Sequence, residues 1–202
     1  MHIRAAQPIR TIRKSESTAE RFTLRASIAV LATAFVAICA HIALPLPFSP
    51  VPLTLQTFAV LLVGLTFGPA MGGATLALYL AEGVCGFPVF APSTVGLTGM
   101  AQLMGPTGGY LLSYPLAAAC AGYVALKLSK AMPRIGANIT AGICATAVTL
   151  SMGASWLSVA THASVSHVAM MAVLPFLPGE AVKIVAAAGI ASAWLRLRKQ
   201  SA

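Results

Sequence analysis

Glu180 and Lys183 stand three residues apart in the segment PFLPGEAVK. That spacing places an acid and an amine side by side on one helical face. A carboxylate accepts N–H groups and an ammonium donates to a carbonyl or carboxylate, so the pair can grip a polar, anionic small molecule at two points. Pro178 suits the first turn of a helix, Gly179 lets backbone approach closely, and the free amides of a helix start carry a partial positive charge. The competing role is a cap near the headgroups, where an exposed ion pair contributes only about 0 to 1 kcal/mol. Scarcity of charge argues for function, because charges inside a membrane protein are costly and usually face its interior. Between Ala26 and Leu195 there are six charged side chains: Glu82, Lys127, Lys130, Arg134, Glu180 and Lys183. Glu82 closes the third apolar run, so it either touches the same vestibule or meets water.

The elements that must position this pair are apolar helices. The chain has 202 residues, of which 58% are hydrophobic and 8% charged, and its mean hydropathy is +0.86. A soluble domain carries roughly 25% charged residues, so an all-α integral membrane protein is expected. Apolar runs read against Pro and Gly place six transmembrane helices near 26–44, 54–68, 70–86, 108–128, 135–156 and 177–195, the second and third parted only by Gly68 and Pro69. Domain organisation follows: a flexible basic tail over 1–25, a membrane domain over 26–197 and a short basic tail over 198–202. A signal peptide competes for the first segment, but the stretch from Ala26 to Leu46 exceeds an h-region of roughly 7 to 15 residues. A retained anchor is expected.

Six spans put both tails and the second and fourth connections on one side, and that side holds twelve of the thirteen Lys and Arg residues. The positive-inside rule therefore places both termini in the cytoplasm of a multi-pass inner-membrane protein. The net charge of +9 flanks apolar spans and lacks an interleaved aromatic platform, which argues against nucleic acid as a partner. Cys39, Cys85, Cys120 and Cys144 form no C-x-x-C pair, and His41, His162 and His167 lack ligand spacing, so no metal site is expected. G-x-S-x-G is missing and Asp is absent from the chain, which leaves a hydrolase without a group to orient a His base. No Walker A pattern occurs, so the chain cannot power transport with ATP itself. No enzyme activity and no cofactor are expected.

The outward connections are not simple hairpins. The first, Leu44 to Phe58, holds Pro45, Pro47, Pro50 and Pro52, which favour extended backbone. The third, Gly83 to Thr107, is a long apolar loop, and loops of that length in compact domains are usually functional. The fifth, Leu157 to Phe176, has room for a short interfacial helix. Phe48, Phe87, Phe90 and Met104 in these loops either lie at the interface or help build a lid over a pocket on the outer face. Tyr79, Tyr110 and Tyr114 suit a pocket wall or an interfacial belt equally. In the first span Ala29, Thr33 and Ala37 form a small-residue stripe that serves internal packing or the docking of another subunit.

Four motifs in order, PFSPVPLTLQTFAVLLVGLTFGP, LYLAEGVCGFPVFAP, GPTGGYLLSYPLAA and PFLPGEAVK, together resemble the BioY family, the biotin-specific substrate-binding components of energy-coupling-factor transporters. The resemblance spans roughly Ser27 to Leu197. It implies six transmembrane helices whose long outward loops enclose biotin, with a transmembrane coupling subunit and two ABC-type ATPase subunits as partners, ATP being used only by those partners. It also implies that Glu180 and Lys183 hold polar groups of the ligand, that Ser93, Thr94 and Gln102 add contacts from the third loop, and that rings such as Phe90 and Tyr110 cover the bicyclic body. Ala29, Thr33 and Ala37 match the family's docking stripe. Family members commonly carry Asp at the acidic position, so Glu180 reaches one methylene further, and the third loop here is less Gly-rich than is typical. Another small vitamin as ligand, or a solitary facilitator without partner subunits, are the nearest alternatives.

Overall fold

The architecture is known from a computed structural model that describes residues 18–93 and 95–200, the side chains of Arg198 and Lys199 apart. Thr94, residues 1–17 of the tail expected over 1–25, and residues 201–202 of the tail expected over 198–202 lie outside the described residues. Among the described residues the order is α1 (Thr18–His41), β1 (Ala43–Leu44), β2 (Leu53–Thr54), α2 (Gln56–Phe67), α3 (Pro69–Val84), α4 (Gly99–Met104), α5 (Gly108–Leu128), α6 (Arg134–Thr161), α7 (Val165–Ala172), a 3-10 turn (Leu174–Phe176) and α8 (Leu177–Gln200).

The protein is all-helical apart from one two-residue ladder. α1, the α5 and α6 helices and the stretch Val165–Leu197 are each long and apolar enough to cross a membrane. α1 begins at Thr18, eight residues before the expected span, so Thr18 to Arg25 are helical rather than part of a flexible tail. Glu20 in the first turn complements the helix dipole, and the Thr23 and Ser27 hydroxyls donate to carbonyls four residues back. α8 likewise continues to Gln200, past the expected start of the C-terminal tail. α2 and α3 are short, at roughly 18 and 24 Å given 1.5 Å per residue. Their joint is Gly68, whose φ of +81° is a conformation that only glycine adopts readily, with Pro69 starting the next helix.

The four prolines of the first connection keep it extended, and it folds back on itself as the antiparallel ladder Ala43↔Thr54 and Leu44↔Leu53. The third connection contains α4, and the fifth contains α7 and the 3-10 turn. α2 and α8 start, and α1 and α3 finish, at this same end of the bundle.

α5 is the central helix, packed against α2, α3, α4 and α6. Lipid supplies no hydrophobic drive for helix association, so close approach of backbones has to do this work. A Cβ on Gly64 would strike the Ala118 carbonyl of α5, and one on Gly122 would strike the α2–α3 joint at Gly68 and Pro69. Ala117, Ala118 and Ala121 complete the α5 seam, and Ala141, Ala145, Ala187 and Ala191 join α6 to α8. One polar tie crosses the α6–α8 seam, where Asn138 Nδ2 donates to Ser192 Oγ at 3.0 Å.

These seams predict steep size limits. Gly64→Leu and Gly122→Leu should each destabilise the bundle by about 1 to 3 kcal/mol or more through overpacking, read as a lower Tm in detergent. Gly189, whose added Cβ would meet nothing within 4 Å, is the control: Gly189→Ala should leave Tm unchanged or raise it.

Candidate functional site

The head of α8 carries an ion pair whose two partners are both buried. Glu180 is 3% exposed and Lys183 is 7% exposed, and Lys183 Nζ lies 2.7 Å from Glu180 Oε1. Thr57, near the start of α2, closes a triangle: its hydroxyl donates to Glu180 Oε1 at 2.8 Å and accepts from Lys183 Nζ at 2.9 Å. Isolated burial of either charge would be costly, and pairing with additional hydrogen bonds is what makes it tolerable. One acceptor is left over. Glu180 Oε2 is buried without a hydrogen-bond partner among the described residues.

Beside this triangle a second polar group links three helices and the third loop. Tyr114 of α5 donates to Gln56 Oε1 at 3.3 Å, Gln56 Nε2 donates to the Tyr79 hydroxyl at 2.7 Å, and Tyr79 donates to the Val89 carbonyl at 2.6 Å. Gln56, Tyr79 and Tyr114 are all buried. Each donor faces an acceptor, as a water-poor interior demands. Gln56 and Thr57 are consecutive residues of α2, so the triangle and this relay are neighbours.

Between the relay and the loops lies a small cavity of about 30 Å³, lined by Val51, Pro52 and Thr54 from the first connection, Ala91 and Gln102 from the third, and Gln56, Tyr110 and Tyr114 from helices; Glu180 and Lys183 are not in its wall. The loops are pinned over it. Gln102 Nε2 donates to the Ala91 carbonyl at 2.7 Å, Trp156 Nε1 donates to the Gly105 carbonyl at 2.9 Å, and the Tyr110 hydroxyl donates to the Ala172 carbonyl at 2.9 Å. A further recess between the ladder and α8 has Lys183 in its wall. Chemically the assembly offers one free carboxylate oxygen, one ammonium, an amide, phenol hydroxyls and apolar loop residues. That set suits a polar small molecule with an apolar body.

Of the residues singled out from sequence, Glu180 and Lys183 pair directly, and Gln102 and Tyr110 share the cavity wall. Phe90 sits edge-on to Tyr79, with ring centroids 5.5 Å apart, and its ring fills the space that a Gly83 side chain would need. Ser93 is half-buried, and its hydroxyl accepts from the Val95 amide at 3.3 Å. The α1 stripe is away from this site. Thr33 is 1% exposed and donates to Glu82 Oε1 at 2.9 Å, so it faces α3 rather than the lipid, while Ala29 and Ala37 are half-buried. Glu82 thus bonds to α1 instead of joining the Glu180 triangle.

Sequence reasoning missed Gln56 and Thr57. The available signal was two adjacent polar side chains opening an otherwise unbroken apolar run, QTFAVLLVGL. Tyr79 and Tyr114 were visible, but nothing in sequence told a pocket tyrosine from an interfacial one. Among the described residues no group of three His, Cys, Asp or Glu could hold a metal ion.

The family model described as the BioY family matches residues 13–200. The chain is 34% identical over 168 residues to "Biotin transporter BioY" of Thermotoga maritima, covering 83% of this chain and 91% of that protein. It is 29% identical over 171 residues to "Biotin transporter BioY" of Lactococcus lactis, covering 83% and 87%. Among solved structures, the S-component for biotin from an ECF-type ABC transporter superposes with a TM-score of 0.77 at 26% identity, covering 92% of this chain and 95% of that one.

Removing one partner of a buried ion pair strands the other, at about 3 to 5 kcal/mol, whereas replacing both with apolar groups is often neutral. Lys183→Met should therefore lower Tm in detergent more than the double variant Glu180→Met/Lys183→Met does. Equal losses would mean that the two charges do not depend on each other for burial.

Proposed function

We propose, from the premise that this chain belongs to the BioY family, that it binds biotin at the Glu180–Lys183 end of the bundle and carries it into the cell as the substrate-binding component of an energy-coupling-factor transporter. The observation that carries this reading is the buried Thr57–Glu180–Lys183 triangle, in which Glu180 Oε2 has no hydrogen-bond partner among the described residues. Biotin presents a ureido ring that donates and accepts hydrogen bonds, an apolar thiophane ring and a carboxylate. The free Glu180 oxygen accepts a ureido N–H, and Lys183 supplies positive charge to a carbonyl or carboxylate. Tyr110, Tyr114 and Phe90 give the bicyclic body an aromatic wall, and Gln102 adds an amide. Ser93 and Thr94 belong to the loop that closes over it.

A bicyclic vitamin needs on the order of 300 Å³, ten times the cavity of about 30 Å³. Ligand entry therefore has to lift the first and third connections away from the helix ends. The hydrogen bonds from Gln102 and Trp156 to loop carbonyls are the ones that such opening would break or stretch.

The helices α1, α2, α3, α5, α6 and α8 all cross the bilayer, with the short α2 and α3 accommodated inside the bundle, both termini in the cytoplasm and the loops outside. The distribution of Lys and Arg supports that orientation. The drive comes from partner subunits, a transmembrane coupling protein and two ABC-type ATPases, with α1 as the docking helix. Ala29, Thr33 and Ala37 contribute to it by keeping α1 close to its neighbours.

Two experiments test the reading. In purified protein, Glu180→Gln and Lys183→Ala should each weaken biotin binding by about 10- to 100-fold, the range for losing a charge-assisted hydrogen bond; unchanged affinity in both, with Tm retained, would remove the pair from the site. Cysteines placed at Pro50 and Ser93 should react with a membrane-impermeant maleimide in intact cells. Labelling only after lysis would put the cavity on the wrong side.

A further inference from the structure

The opposite end of the bundle holds a much larger recess, a groove of about 890 Å³ framed by the start of α1, the α2–α3 joint, the end of α5 and the start of α6. Among the described residues its charged lining residues are Arg25 from α1 and Arg134 from α6, with no carboxylate. Arg25 is exposed and Arg134 is half-exposed, so both guanidiniums can be reached. Ser129 and Asn138 add polar groups, whereas Phe22, Phe67 and Leu126 make the rest of the wall apolar.

We infer that this groove binds an anionic phospholipid, its phosphate between Arg25 and Arg134 and the start of its acyl chains along the apolar wall. Two arguments select that occupant. A guanidinium pairs with phosphate through parallel N–H donors, and basic recesses between spans on the positively charged side of a membrane protein suit acidic headgroups. The groove is amphipathic, with two guanidiniums among aromatic and aliphatic side chains, which matches one lipid molecule rather than a free anion. The chain's own N-terminal segment is a poor occupant, because Arg4, Arg10, Arg13 and Lys14 outnumber Glu16 there and would be repelled. The inference does not depend on which ligand the Glu180 site takes.

The test uses the full chain in detergent, with phosphatidylglycerol or phosphatidylcholine added, and reads lipid retention by native mass spectrometry together with Tm. Phosphatidylglycerol should be retained and should raise Tm, and phosphatidylcholine should do neither. Arg25→Gln/Arg134→Gln should bind phosphatidylglycerol about 30-fold more weakly, from roughly fivefold per basic side chain near a headgroup. Arg25→Lys/Arg134→Lys should keep most of the binding, which guards against misfolding of the Gln variant. Lys127→Gln/Lys130→Gln, at neighbouring cations outside the groove, should behave as wild type. Equal retention of the two lipids, or retention undiminished in the Gln variant, overturns the inference. It is equally overturned if the Gln variant keeps its lipid but loses co-purification of a membrane partner, since the groove would then be a protein contact.

Discussion

A carboxylate and an ammonium inside an apolar bundle set the terms for everything around them. Neither Glu180 nor Lys183 could remain charged alone at that depth of burial, so each requires the other, and both require a third polar group to use their remaining hydrogen-bonding capacity. Thr57 supplies it. That requirement fixes the first turn of α8 against the first turn of α2, which in turn places the first connection and its ladder directly beside the pair. The arrangement is satisfied at every position except Glu180 Oε2. An unpaired oxygen at the centre of an otherwise complete network is the feature that a ligand's N–H group would relieve.

The helices beneath this end are held together by packing further along the bundle. Close approach of α5 to α2 and to the α2–α3 joint depends on Gly64 and Gly122, and nearer the pair Tyr79 and Tyr114 meet across Gln56. With the helix ends fixed this way, the loops rest on a firm platform and are held by single hydrogen bonds to loop carbonyls. A rigid base under a lightly pinned cover suits the loop opening that the proposed binding of a vitamin would require.

Charge separates the two ends of the bundle. One end carries a compensated acid–amine pair under loops without other Lys or Arg, and the other carries guanidiniums that line a groove with no carboxylate among the described residues. The first arrangement favours a ligand with both donors and an acidic group. The second favours anions held at a surface. In a chain with four acidic residues in all, the position of each one matters, and Glu82 shows it: bonded to buried Thr33, it ties α1 to α3 and is kept out of the ligand site.

Local chemistry determined much of this protein from sequence alone. Apolar runs of span length, the clustering of Lys and Arg and the i, i+3 spacing of Glu180 and Lys183 are one-dimensional properties, so the helical membrane class, the helices and the acid–amine pair could be read directly. Helix ends were less legible, because Thr18 to Arg25 and Arg196 to Gln200 are polar yet continue helices that apolar runs begin. Only the tertiary structure decided which polar residues meet. Thr57 lies 123 positions from Glu180 and Gln56 lies 58 from Tyr114, and no periodicity within one helix encodes a contact made by packing several. Orientation of a stripe is decided the same way: Thr33 turns inward because Glu82, on another helix, offers its hydroxyl an acceptor.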